Sequence, residues 1–237
     1  MSLLTIVQDS CAELSLVQPT QVLSSSDLQV QLLLRLAGKE GKELARRFDW
    51  QRLVKEGTFV TVASSTQVAD LPVTFANFAR IVNNSMFNRT TKFRVFGPLS
   101  SLEWQARQAS GLNANINNFF RIRGNSILFY PTPTAGDSIY FEYISKNWCI
   151  NEAGNTEQSL WVNDSDTALI DEEVVTLGVI WRFLKAKGLD YGEEFATYER
   201  ALEQIFGPDG GRDMVDLTGE MVDWFSAHIT EGDWPTA

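Results

Sequence analysis

The chain reads as an α+β protein: a helical bundle built from N-terminal helices and a C-terminal helical hairpin, with a β-rich insertion and an extended C-terminal arm. Three observations predict this. Apolar residues recur at helical spacing near the N-terminus and again after residue 171. Residues 58–148 are rich in β-branched and aromatic residues in short runs. From Gly207-Pro208-Asp209-Gly210-Gly211 onward no long period of either kind continues. The expected divisions are 1–57 for the N-terminal helices, 58–148 for the insertion, 149–206 for a loop and the hairpin, and 207–237 for the arm.

In the first helix Leu3, Ile6, Val7, Cys11 and Leu14 share one face, and Pro19 closes the segment. Ser24-Ser25-Ser26-Asp27 supplies cap residues for a second helix, whose buried stripe is Val30, Leu33, Leu34, Ala37, Gly41, Leu44, Ala45 and Phe48. Lys39, Glu40, Lys42, Glu43, Arg46 and Arg47 are assigned to its polar face. Gly38 and Gly41 lower helix propensity and are expected to admit a close-lying helix.

The pattern changes at Trp50, and Thr58–Val62 reads as a strand. Arg80–Val82, Phe93–Phe96 and Ser138–Ile144 follow as strands. Phe119–Arg123 and Ser126–Tyr130, joined by Gly124-Asn125, form the clearest hairpin, since that pair supplies positive φ angles. Ser100 and Glu103 form a capping box for one helix within the sheet, ahead of Trp104. Residues 150–168 read as a polar loop. Asp171 caps a helix with Val174, Leu177, Trp181 and Leu184 on its buried face, and Gly188 ends it. Asp190 and Glu193 start the next helix, carrying Phe195, Tyr198, Leu202, Ile205 and Phe206 and stopped at Gly207.

Composition narrows the chemistry. The net charge of −10 is uneven: residues 151–237 hold 19 acids and 5 bases, residues 1–150 hold 15 bases and 11 acids. An acidic C-terminal portion argues against a grip on nucleic acid there, which needs cations on phosphates. The apolar runs are too short to span a bilayer, and the N-terminus has no basic region of a secretory signal. Cys11 and Cys149 form no zinc spacing and read as reduced, buried thiols of a protein made in a cytosol.

Catalytic, cofactor and metal residues are not expected. His228 is the single histidine and has no nucleophile motif near it. No phosphate-cradling lysine accompanies the Gly207–Gly211 run. Asp164, Asp166, Asp171, Glu172 and Glu173 are the carboxylates a hydrolase would need, but capping and loop positions account for them. Arg89, Lys92, Arg94, Arg107, Arg121 and Arg123 lie among aromatics, which suits a nucleic-acid stacking face or, more simply, the outer face of a half-buried sheet. Met221, Trp224, Phe225 and Trp234 place large apolar groups in the acidic arm and are the candidate partner-binding residues.

One stretch is more specific. Trp181–Tyr191, followed by Glu193-Glu194-Phe195 and Tyr198-Glu199, resembles tailed-bacteriophage head-to-tail adaptor (connector) proteins. Arg46–Gln51, Glu56–Phe59, Gly97–Ser100 with Glu103-Trp104, and Phe141–Trp148 are similar to that family in the same order, while nothing beyond Gly207 matches a motif. The resemblance implies a structural virion protein at the head–tail junction. It implies a homo-oligomeric ring, typically dodecameric, between the portal protein and a tail nozzle or tail-tube protein. Double-stranded DNA would pass through without specific binding, with no cofactor and no membrane contact. Other tail roles, as terminator or as receptor- or glycan-binding module, and a carboxylate-only hydrolase are the alternatives.

Overall fold

A computed structural model describes residues 2–110 and 118–209, and these form two units, one of residues 2–54 with 146–209 and one of residues 55–145. The fold is mixed α and β, with six α-helices among the described residues.

The chain opens with α1 (Leu3–Glu13), started by a capping box in which Ser2 and Thr5 exchange hydrogen bonds. Leu3, Ile6, Val7 and Cys11 are buried along its predicted face. Asp27 then caps α2 (Leu28–Arg47) through a 2.8 Å bond from the Gln29 amide. Val30, Leu33, Ala37, Gly41, Leu44 and Ala45 are buried as expected, but so is Glu40, which is fully inside rather than on the polar face. After a single 3₁₀ turn at Gln51–Leu53 the chain enters the second unit.

That unit holds β1 (Val54–Val60), β2 (Thr66–Val68), α3 (Leu71–Thr74), β3 (Phe78–Ile81), β4 (Phe87–Asn88), β5 (Phe93–Phe96), α4 (Ser101–Ser110), β6 (Asn118–Arg123), β7 (Ser126–Tyr130) and β8 (Ser138–Ser145). The strands form an eight-stranded sheet in the order β1-β8-β4-β5-β6-β7-β2, with β3 also on β8. Its two ends are β1 and β2, joined only by residues 61–65, so the sheet must curl until its edges approach each other. β5 and β6 pair in parallel, with α4 in the crossover between them, whereas β6 and β7 form the predicted antiparallel hairpin. In its turn only Gly124 takes a positive φ, +59°, so Asn125 does not share that role. Phe75, Phe120, Phe129, Ile139 and Phe141 fill the concave interior. Phe75 meets Phe141 edge-on at 4.9 Å, and Gly57 is required beside them, because a Cβ there would lie 2.7 Å from the Phe141 ring. Each such ring contributes about 1.5–3 kcal/mol by leaving water.

Back in the first unit, residues 150–168 are not an irregular loop. They carry a small three-stranded sheet, β9 (Cys149–Ile150) between β10 (Glu157–Gln158) and β11 (Thr167–Ala168). Two-residue strands are too short for a period-2 pattern to show in the sequence. Helix α5 (Glu172–Lys187) packs against α1, α2 and α6 (Gly192–Asp209). Surrounded in this way, α5 buries Val174 through Phe183 with the exception of Leu177, so the four-residue stripe expected from the sequence is replaced by burial on nearly all sides. Leu177 and Leu184 are only half-buried. Gly188 takes the left-handed cap with φ +71°. Helix α6 continues to Asp209 instead of stopping at Gly207.

Gly38 and Gly41 do not admit a helix. Nothing lies within 4 Å of a Cβ built at Gly38, while one at Gly41 would sit 2.3 Å from the Trp148 ring. Gly41 is therefore the seat of an indole, which in turn meets Trp161 edge-on at 4.7 Å and donates to the Ser159 carbonyl at 3.0 Å.

Candidate functional site

The densest polar arrangement lies where α2, α5 and α6 meet. Glu40 projects from α2 into the apolar interior, and its entry requires Gly178 on α5, where a Cβ would lie 2.4 Å from the carboxyl carbon. One turn further along α5, Arg182 donates from Nε to Glu40 Oε2 at 2.5 Å. Tyr198 of α6 donates its hydroxyl to the other oxygen, also at 2.5 Å. Arg182 reaches outward as well, with Nη2 at 3.0 Å from the exposed Glu43 carboxylate. Nearer the end of α2, Arg47 grips Glu199 through both guanidinium nitrogens at 2.9 and 2.5 Å.

Burial pushes the Glu40 carboxyl above the usual carboxylate range, although Tyr198 and Arg182 pull the other way. Burial and the neighbouring Glu40 push the Tyr198 phenol up in turn. Both Glu40 oxygens are engaged and the residue is fully buried, so the cluster has no route to a substrate. What it does chemically is fix one mutual placement of three helices, because any slip leaves a charge unpaired in the interior. The sequence held one signal for it: Glu40 lies three residues after Ala37 and four before Leu44, in phase with the buried stripe.

Of the five carboxylates singled out for hydrolytic chemistry, the three aspartates serve the backbone, and Glu172 and Glu173 stand in the first turn of α5. Asp164 accepts from the Val22 and Leu23 amides at 2.9 Å each. Asp166, fully buried, accepts from Val162 and Asn163 through Oδ2 at 2.7 and 2.8 Å. Asp171 caps α5 through the Glu173 and Val174 amides. The backbone carbonyls of the first two also receive the Leu4 and Leu3 amides, which ties the start of α1 to this loop. Cys11 and Cys149 are both free and buried. The Cys149 thiol is pushed up to about 12 by burial and by nearby Asp166. Among the described residues no group of three or more His, Cys, Asp or Glu side chains is placed to hold a metal ion. No helix among them is long and apolar enough to cross a membrane.

In the second unit the arginines named from the sequence fall into two places. Arg89 lies 3.6 Å above the Tyr140 ring, pairs with Glu56, and lines a groove of about 410 Å³ shared with Arg94 and Glu142. The groove lies on the outer side of the sheet, since Val95, Ile139 and Phe141 face the core; further along that side Phe120 and Ile122 face the core, which turns Phe119, Arg121 and Arg123 outward. The half-buried Arg107 of α4 lies flat on Phe119 at 3.6 Å, and Trp104 of the same helix meets Tyr130 edge-on. The Ser100–Glu103 capping box that positions α4 is present, with bonds of 2.8 and 3.3 Å.

Met221, Trp224, Phe225, Trp234 and His228 all lie outside the described residues. A family model described as SU10 adaptor protein matches residues 1–221. The chain belongs to the SU10 adaptor protein family. The match runs through both units and continues beyond Gly207, where no motif had been placed; it takes in Met221 and stops short of Trp224, Phe225 and Trp234. No curated protein matches the chain. Membership makes this an adaptor of bacteriophage, and it points to a structural role rather than an enzymatic one.

Proposed function

We propose that the chain is a head-to-tail adaptor of the virion: a homo-oligomeric ring, typically dodecameric, seated between the capsid portal protein and a tail nozzle or tail-tube protein. The observation that carries this reading is the family match over residues 1–221. The helices of residues 2–54 and 146–209 form the bundle of each subunit, residues 55–145 the β insertion, and residues 210–237 an arm. The arm's Met221, Trp224, Phe225 and Trp234 dock on the portal or on a neighbouring subunit. The ion pairs that hold α2, α5 and α6 in one placement support such a role, since a closed ring needs every copy to present the same surface. The acidic balance of residues 151–237 suits a channel through which DNA slides without sticking.

Electron microscopy of intact particles tests the proposal. The expected result is a ring of this chain directly beneath the portal, in a copy number that matches its symmetry. A chain found elsewhere in the particle, or absent from it, overturns the proposal.

A further inference from the structure

The outer face of the β unit around α4 and β6 carries more positive than negative charge. From Gly97 to the end of β6 the sequence holds Arg107, Arg121 and Arg123 against the single acid Glu103, whereas Arg94 shares its groove with Glu56 and Glu142. The Glu103 carboxylate is occupied by the Ser100 amide at the start of α4. The arginines are not loose. Arg107 is flat on Phe119 at 3.6 Å, Arg94 stands over Phe96 at 5.3 Å, and Phe96 and Phe119 adjoin at 5.8 Å across the parallel β5–β6 pair. Arg121 donates to the Ser101 hydroxyl at 2.8 Å, and Arg123 is exposed. Phe119 thus holds the Arg107 guanidinium flat and in a fixed fork, the geometry that suits carboxylates.

From these observations we infer that this face receives the acidic C-terminal segment, residues 210–237, of a second copy of the chain. That segment holds six acids and one base, so its charge complements the face. Its Trp224, Phe225 and Trp234 are the residues best able to lie against guanidinium planes and aromatic edges. A nucleic-acid occupant fits less well. Phe96 and Phe119 each already carry an arginine, which leaves neither ring open for base stacking, and the chain as a whole is at −10. The inference rests on the proposed self-assembly and names the contact behind it.

The experiment uses the full chain. Equal amounts of isotopically heavy and light protein are mixed under assembling conditions and cross-linked with a carboxylate-to-amine or zero-length reagent, and self-association is followed by sedimentation. The expected result is heavy–light pairs joining residues 210–237 to residues 92–123. Arg121→Glu with Arg123→Glu should weaken self-association at least tenfold, and adding Asp213→Arg, Asp216→Arg and Asp223→Arg should restore it. Far-UV circular dichroism checks folding, and Arg123→Glu alone, at an exposed position, serves if the pair does not fold. Unchanged association in a folded variant, a loss that the reversed arm does not recover, or pairs formed only within one copy overturns the inference while leaving the ring intact. Binding of duplex DNA that is lost in the arginine variants assigns the face to nucleic acid and also overturns it. Failure of the adaptor reading itself would appear separately, as absence of the chain from the head–tail junction.

Discussion

Arg182 and Glu40 meet inside the helical unit, Nε to Oε2 at 2.5 Å, with the carboxylate fully buried and the guanidinium nearly so. The pair joins residues 142 positions apart, and it is completed by Tyr198 on the second oxygen. Such a pair adds little net stability over apolar residues of the same size, yet removing one partner strands the other.

Glu40→Met and Arg182→Met should each therefore cost about 3–5 kcal/mol in urea unfolding, as broken buried pairs do. The double variant should lose clearly less than the sum, because neither charge then remains alone. Additive losses would show that the two side chains do not interact.

The two glycines of α2 should respond in opposite directions. Gly38→Ala meets nothing within 4 Å and should stabilise by about 0.5–1 kcal/mol through helix propensity. Gly41→Ala drives a Cβ into the Trp148 ring at 2.3 Å and should destabilise by about 1–3 kcal/mol, as overpacking does. Equal effects in thermal melts would contradict the seat assigned to Trp148.

Trp181 is 7% exposed and packs on Tyr191, Phe195 and Tyr198 at the start of α6, with ring centroids 6.2, 5.1 and 6.0 Å away. Trp181→Ala should cost about 3–5 kcal/mol. An unchanged thermal midpoint would mean that the α5–α6 hairpin does not close over this ring.

The Cys149 thiol gives a signed pH dependence. The folded thiol is pushed up to about 12 from an ordinary 9.0, so between those values the unfolded chain releases a proton that the folded chain keeps. Stability should then fall as pH rises above about 9, the direction linkage requires when the folded state binds more protons. Urea midpoints measured from pH 8 to 10.5 should decline less steeply in Cys149→Ala. In the native protein at pH 8 neither thiol should react with a disulfide reagent, because both are buried and raised.

Removing residues 210–237 should leave the thermal midpoint within a few degrees of the full chain and weaken assembly, since the described residues by themselves supply a buried core to each unit. Unfolding of the truncated chain would show that the arm is part of a core.

Wherever an element's signal is local, the sequence by itself determined it. The caps at Asp27, Asp171 and Gly188 and the Ser100–Glu103 box stand where short-range hydrogen bonding requires them. The Gly124-Asn125 hairpin and the buried faces of α1 and α2 likewise follow from turn chemistry and a 3.6-residue period. The adaptor resemblance, too, was carried by residues alone, and the family match extends it to residue 221. Only the tertiary structure decided which faces were covered. Helix α5 lost its expected stripe because three helices surround it, and Glu40 went inside because Gly178, Arg182 and Tyr198 wait for it on segments far along the chain. Residue type marks a glutamate as exposed. A partner charge more than a hundred residues away reverses that assignment, because burial is costly only for a charge left unpaired.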